Sequence, residues 1–206
     1  MSHLLVLHAL RIKGVAVPES IAVATGLEVG GVMEDLRELG AAGLVRIREG
    51  VVAGWALTAD GRLRERELVA LELEATGGRP SIEVQYRDFL VLNAAFRQAC
   101  TDWQLMGEGA DRVLNDHADA DYDRAVLSAL ASIGDELRKV LDEIVVPLPR
   151  FRPYQERLRT ALAHVATGEL EYFTGPLIDS VHTVWFELHE DLLTTLNVQR
   201  SSEVET

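Results

Sequence analysis

Apolar residues recur at the three-and-four spacing of helices along most of the chain and alternate with polar ones only briefly, around residues 44–57. Leu4, Leu7, Ala9 and Leu10 predict a short helix over 4–12 that stops at Gly14. Pro18 opens a second helix, which Ile21-Ala22-Val23-Ala24 carries to Gly26, a residue suited to the left-handed turn that ends helices. Val32, Leu36 and Leu39 place one apolar face on a third helix over about 29–42, closed by Gly43. Leu44 to Arg48 alternates as a strand, Glu49-Gly50 turns, and Val51 to Leu57 returns as a second strand.

Thr76-Gly77-Gly78-Arg79-Pro80 reads as a turn or linker, so the organisation expected is a first domain over 1–75 and a second over 81–200. The second is helical throughout. Phe89, Leu92, Ala95, Phe96 and Ala99 mark one face of a helix over about 82–105, broken at Met106-Gly107-Glu108-Gly109. Further helices are predicted over about 122–146, 153–167 and 176–196, and four helices of this length imply an all-α bundle. Ser201 to Thr206 is a polar end expected to fray.

Charge separates the two parts. The chain carries a formal net charge of -13, but residues 1–80 hold 9 basic against 11 acidic side chains and residues 81–206 hold 11 against 22. Contact with nucleic acid is therefore expected only from basic clusters in the first part. No apolar run reaches the roughly 20 residues that span a bilayer, and one cysteine, Cys100, permits neither an internal disulfide nor a thiolate-metal fold. The expectation is a cytoplasmic protein without membrane contact, and Cys100 reads as an inert core thiol.

Ile21-Ala22, the turn Gly26-Leu27, the register Val32, Leu36, Leu39, the stop Gly43-Leu44-Val45, and Leu57-Thr58 followed by Gly61-Arg62 resemble the winged helix-turn-helix of MarR-like regulators over residues 4–68. The resemblance implies three helices with a β-hairpin wing, DNA binding as a homodimer, and entry of the third helix into the major groove. Val29, Gly30 and Gly31 would then lie at the groove, with Arg46, Arg48, Arg62 and Arg64 on the phosphates; Arg66 extends the same basic cluster. The third helix departs from the family pattern. It offers Glu28, Glu34 and Asp35 where basic groups are usual, and its sole cation is Arg37. Glu49, Glu65 and Glu67 could instead pair with the arginines on a solvated surface.

Phe89 to Gln104, Asn115 to Asp123 and Asp179 to Leu193 resemble a helical domain of bacterial regulators and of proteins related to pyruvate phosphate dikinase. That resemblance implies a regulatory link and no catalytic residue. Asp179, His182 and His189 fall near one face of the last predicted helix, as a stripe for an effector or an ion or as packing residues with inter-helix hydrogen bonds. Two histidines seven residues apart stand about 10 Å from each other, too far to share one ion, and packing is the preferred reading. Asp119, Asp121 and Asp123 alternate like a calcium loop but lack its glycine and closing glutamate, so they predict a helix N-cap. Asn93, Asp102 and Trp103, polar beside apolar stripes, call for a partner, either a small ligand or, as the preferred reading, a neighbouring helix.

No phosphate-binding glycine loop, nucleophile elbow or HExxH motif occurs, so no catalytic residue, metal or cofactor is expected. Two functions follow. One is a dimeric DNA-binding transcriptional regulator with a helical regulatory domain. The other is an interaction module whose winged helix does not bind DNA and whose acidic bundle docks on a partner protein, such as a phosphoenolpyruvate- or pyruvate-metabolising enzyme.

Overall fold

The computed structural model describes residues 2–107 and 112–198, and the chain is mostly helical within them, with two short antiparallel hairpins. Glu108-Gly109 and Ser201 to Thr206 lie outside the described residues. The order begins with α1 (Ser2–Lys13), α2 (Pro18–Thr25), α3 (Val29–Ala41), β1 (Val45–Arg48), β2 (Gly54–Leu57) and α4 (Ala59–Thr76). α2 ends as its sequence dictates: Gly26 takes the left-handed φ of 71° and its N–H donates to the Ala22 carbonyl. In α3 the residues Val32, Leu36 and Leu39 are buried, and they join Val6, Leu7, Leu10 and Ile21 in a first core.

The hairpin is shorter than the alternation suggests. β2 starts only at Gly54, whose φ of 152° and close approach to the Ala16 carbonyl suit a residue without a side chain. Val51 and Val52 project into solvent instead of pairing. In β1 only Val45 is buried, so Ile47 is exposed along with Arg46 and Arg48.

α4 was not legible as an element. Its hydrophobic face is thin, since buried positions Gly61, Glu65, Val69 and Leu73 include a glycine and a carboxylate. Thr58 caps it, accepting from the Gly61 N–H at 3.0 Å while its own hydroxyl donates to the Gly43 carbonyl. α4 also crosses the expected boundary: Leu68 packs on the first core, whereas Leu73 belongs to the second. The turn at Gly77 and Gly78 is tight, and a Cβ on Gly78 would sit 2.6 Å from Pro147.

The second core is built by α5 (Arg79–Gln104), α6 (Ala120–Val145), α7 (Arg152–Ala166), the four-residue α8 (Glu171–Thr174) and α9 (Val181–Leu196), with a 3-10 turn over Pro149–Phe151 and a small hairpin of β3 (Leu105–Met106) and β4 (Val113–Leu114). α5 buries Phe89, Phe96 and Ala99, but Ala95 is exposed, off the stripe assigned to it. Asp119 caps α6, accepting from the N–H groups of Asp121 and Tyr122 at 3.0 Å. Asp121 pairs with Arg124, and Asp123 accepts from Asn115 Nδ2 and faces His117 Nδ1, which accounts for the acidic run. α9 begins five residues later than expected because Ser180 supplies the cap, its hydroxyl accepting from the Thr183 N–H. None of the described helices is long and apolar enough to cross a membrane.

Candidate functional site

α1 and α4 pack against α9, and α2 packs against α7, so the two cores meet along a seam. The seam is ionic. His8 interrupts the apolar run of α1 and points away from the first core; Nδ1 faces Glu65 Oε1 of α4 at 2.6 Å and Nε2 lies 2.9 Å from Asp191 Oδ1 of α9. Arg150, from the 3-10 turn, is the hub. It donates to Asp191 Oδ1 and Glu72 Oε2 at 2.6 and 2.7 Å and to the Thr195 hydroxyl. Tyr154 of α7 donates its hydroxyl to Asp191 Oδ2 at 3.1 Å. Five elements thus share one carboxylate and one guanidinium, each with side chains at most 3% exposed.

Burial disfavours the charged forms, yet the neighbours outweigh it. Desolvation raises the Asp191 pKa, but Arg150 and His8 pull it well below the usual carboxylate range. Desolvation lowers that of His8, and Arg150 adds to this, but the carboxylates of Asp191 and Glu65 raise it on balance above that of an ordinary histidine. The ring is therefore placed to be an imidazolium that donates to both acids. Arg150 Nη1, 2.9 Å from Nε2, then donates to Asp191 rather than to the ring. Tyr154, buried beside Asp191 and Glu187, is held firmly as the phenol.

A second chain of charges runs beside the first. Lys13 at the end of α1 donates to Glu187 Oε1 at 2.6 Å, Arg157 of α7 donates to Glu187 Oε2 at 2.7 Å, and Arg157 also clasps Asp179 through Nε and Nη2 at 2.8 and 2.9 Å. Arg157 Nη1 is buried with no hydrogen-bond partner among the described residues. Arg157 also lines a cavity of about 780 Å³ between the end of α2 and α7, which Tyr172, Ile178 and Asp179 border as well.

The residues singled out by sequence fall in three places. Val29, Gly30 and Gly31 are exposed at the start of α3, and both glycines look onto open space. Arg46, Arg48, Arg62 and Arg64 are exposed, with Arg64 paired to Glu67 at 3.1 Å. Glu65, a possible surface partner for these arginines, is fully buried against His8. Asp35 likewise turns inward: it accepts from the Ser2 hydroxyl at 3.1 Å and lies 3.4 Å from His3 Nε2.

Asp179, His182 and His189 do not form one stripe. Asp179 precedes α9 and is bound to Arg157, while the two histidines line a groove between α5 and α9. His189 is buried 5.1 Å from the Phe89 ring, and His182 lies exposed at the edge, 6.3 Å from Phe96. Asn93 finds its partner on the neighbouring helix, accepting from Trp185 Nε1 at 2.9 Å. Burial pushes the Cys100 thiol up to about 11, in keeping with an inert side chain.

The seam itself escaped the sequence. One sign was present: Glu187, Asp191 and Thr195 recur every fourth residue, a polar line beside the apolar one on α9. Their partners on α1, α4 and α7 are distant in sequence and carry no pattern of their own. Compared with protein-family models, curated proteins and solved structures, the chain shows no significant match in any of the three.

Proposed function

We propose that the chain is a DNA-binding transcriptional regulator, in which residues 1–75 act as a winged helix-turn-helix, the helices that follow act as a regulatory bundle, and the ionic seam couples the two. The observation that carries this reading is the exposure of five arginines on and after the hairpin: Arg46, Arg48, Arg62, Arg64 and Arg66 all face solvent, and Glu65, which lies among them in sequence, is turned into the protein. The open start of α3, with two glycines, lets backbone N–H groups approach a phosphate closely. A homodimer would supply the second half-site.

Anisotropy of a labelled random-sequence duplex, titrated at several salt concentrations, tests the reading. Binding should weaken steeply with salt, and Arg46→Ala with Arg48→Ala should weaken it for every sequence and flatten the slope by about two phosphate contacts. Absence of binding at low salt would reject it. A second reading draws on Glu28 and Glu34, which remain exposed beside the start of α3, and on the acidic second half: the chain would then dock on a partner protein, such as a phosphoenolpyruvate- or pyruvate-metabolising enzyme.

A further inference from the structure

The cavity between α2 and α7 has a chemistry that the reading above does not use. Its volume of about 780 Å³ lies in the range of small-molecule sites, and its walls combine apolar and charged groups from both units. Val23 and Thr25 come from α2 and Gly26 from its C-terminal turn; Arg152, Arg157 and His164 come from α7. The two acids at its rim are already engaged, Glu156 by Arg159 and Asp179 by Arg157. Arg152 is exposed at the rim and has no ion pair among the described residues. Arg157, only 6% exposed, lines the same wall, and behind it Nη1 has no hydrogen-bond partner among the described residues. Opposite, His164 and Tyr172 stack with ring centroids 4.1 Å apart and offer a flat apolar surface.

We propose that this cavity binds a small organic anion with a flat apolar body. The acidic head meets Arg152, and the body lies against Tyr172, Val23 and Ile178. A bound molecule touches α2 and α7 together, and through Arg157, Glu187 and Lys13 it is joined to α1. The ligand thus reads the relative placement of the two units, which makes it a regulator of whatever the first unit binds.

The test uses phenylacetate as the probe, with phenethyl alcohol and phenethylamine as its uncharged and cationic counterparts, each titrated calorimetrically into the full chain without DNA. Phenylacetate should bind, and the counterparts should bind at least roughly ten-fold more weakly, the loss that follows from removing a charge-assisted contact. Arg152→Gln should weaken phenylacetate by a similar factor, and Val23→Trp, which fills the mouth from an exposed position, should abolish binding. Both variants alter surface residues, and their unchanged melting temperature without ligand confirms an intact fold. No heat with phenylacetate, equal binding of the three probes, or full binding by both variants would each overturn the proposal. Because DNA is absent, these outcomes are separate from those of the duplex titration.

Discussion

Asp191 Oδ1 lies 2.9 Å from His8 Nε2, so a carboxylate of α9 and an imidazole of α1 face each other with side chains only 3% and 6% exposed. Each belongs to a different core, and neither has enough solvent to dissolve its charge. The contact therefore fixes how the two cores sit, because sliding one past the other would strand charges in a low dielectric. A seam of apolar residues would hold the same surfaces together with less dependence on register. The ionic seam favours one arrangement and opposes its neighbours.

Arg150→Met removes the hub and leaves Asp191 and Glu72 without their cation. The expected loss is about 3–5 kcal/mol, the usual result of breaking a buried pair from one side. Arg150→Met combined with Asp191→Leu should recover part of it, because the more deeply buried of the two carboxylates then no longer faces the gap. Urea unfolding of the native chain, the two single variants and the double variant gives the coupling; a double variant as unstable as the sum of the singles would show that the pair does not act as a unit.

The seam also makes stability depend on pH. The folded His8 pKa is raised above the ordinary value of 6.5, so its contribution is complete below that value and is lost as pH rises through the folded one. Asp191 works in the opposite direction: its pKa is depressed, so its contribution holds above the ordinary 3.8 and fades as pH falls. The melting temperature of the native chain should decline on raising pH above 6.5, and His8→Gln should remove that decline while lowering stability at acid pH. A native profile that rises over the same interval would contradict the imidazolium.

The helices were legible where one face carries the burial. Val32, Leu36 and Leu39 on α3, and Val126, Leu130, Leu137 and Ile144 on α6, declare themselves because their partners only need to be apolar. α4 stayed hidden because its inner face includes Gly61 and Glu65, which no hydrophobic period selects. The cavity and the seam were hidden for a related reason: His8, Arg150 and Asp191 acquire meaning only when three distant segments meet, and spacing along one segment carries no trace of that. Asp179 shows the complementary error, since a helical wheel places it with His182, but Ser180 starts the helix one residue after it.

His182 and His189, alike in sequence, should behave differently when replaced. His189 is 7% exposed and packed on Phe89 and Tyr86, so His189→Ala should lower stability by about 2–4 kcal/mol through the cavity it leaves. His182 is exposed at the rim of the groove, and His182→Ala should stay within about 0.5 kcal/mol. Denaturant melts of both variants decide; equal losses would mean that His182 is held by more than its contact with Phe96.

Glu34 and Asp35 are neighbours on the same helix with opposite orientations, and they separate the DNA reading from a general effect of charge. Glu34 is exposed, so Glu34→Lys places a cation on the face that the proposal directs at the duplex and should tighten non-specific binding, raising the salt slope by about one phosphate contact. Asp35 faces α1, where it accepts from Ser2 and lies beside His3. Asp35→Lys changes the net charge by the same amount, but it loses that hydrogen bond and sets a lysine against the imidazole. It should cost about 1 kcal/mol of stability and leave duplex affinity close to that of the native chain. Anisotropy titrations and thermal melts of the two variants in one buffer read both effects. Equal tightening by both would show that bulk charge governs the affinity, and no change with Glu34→Lys would mean that this face of α3 does not meet DNA.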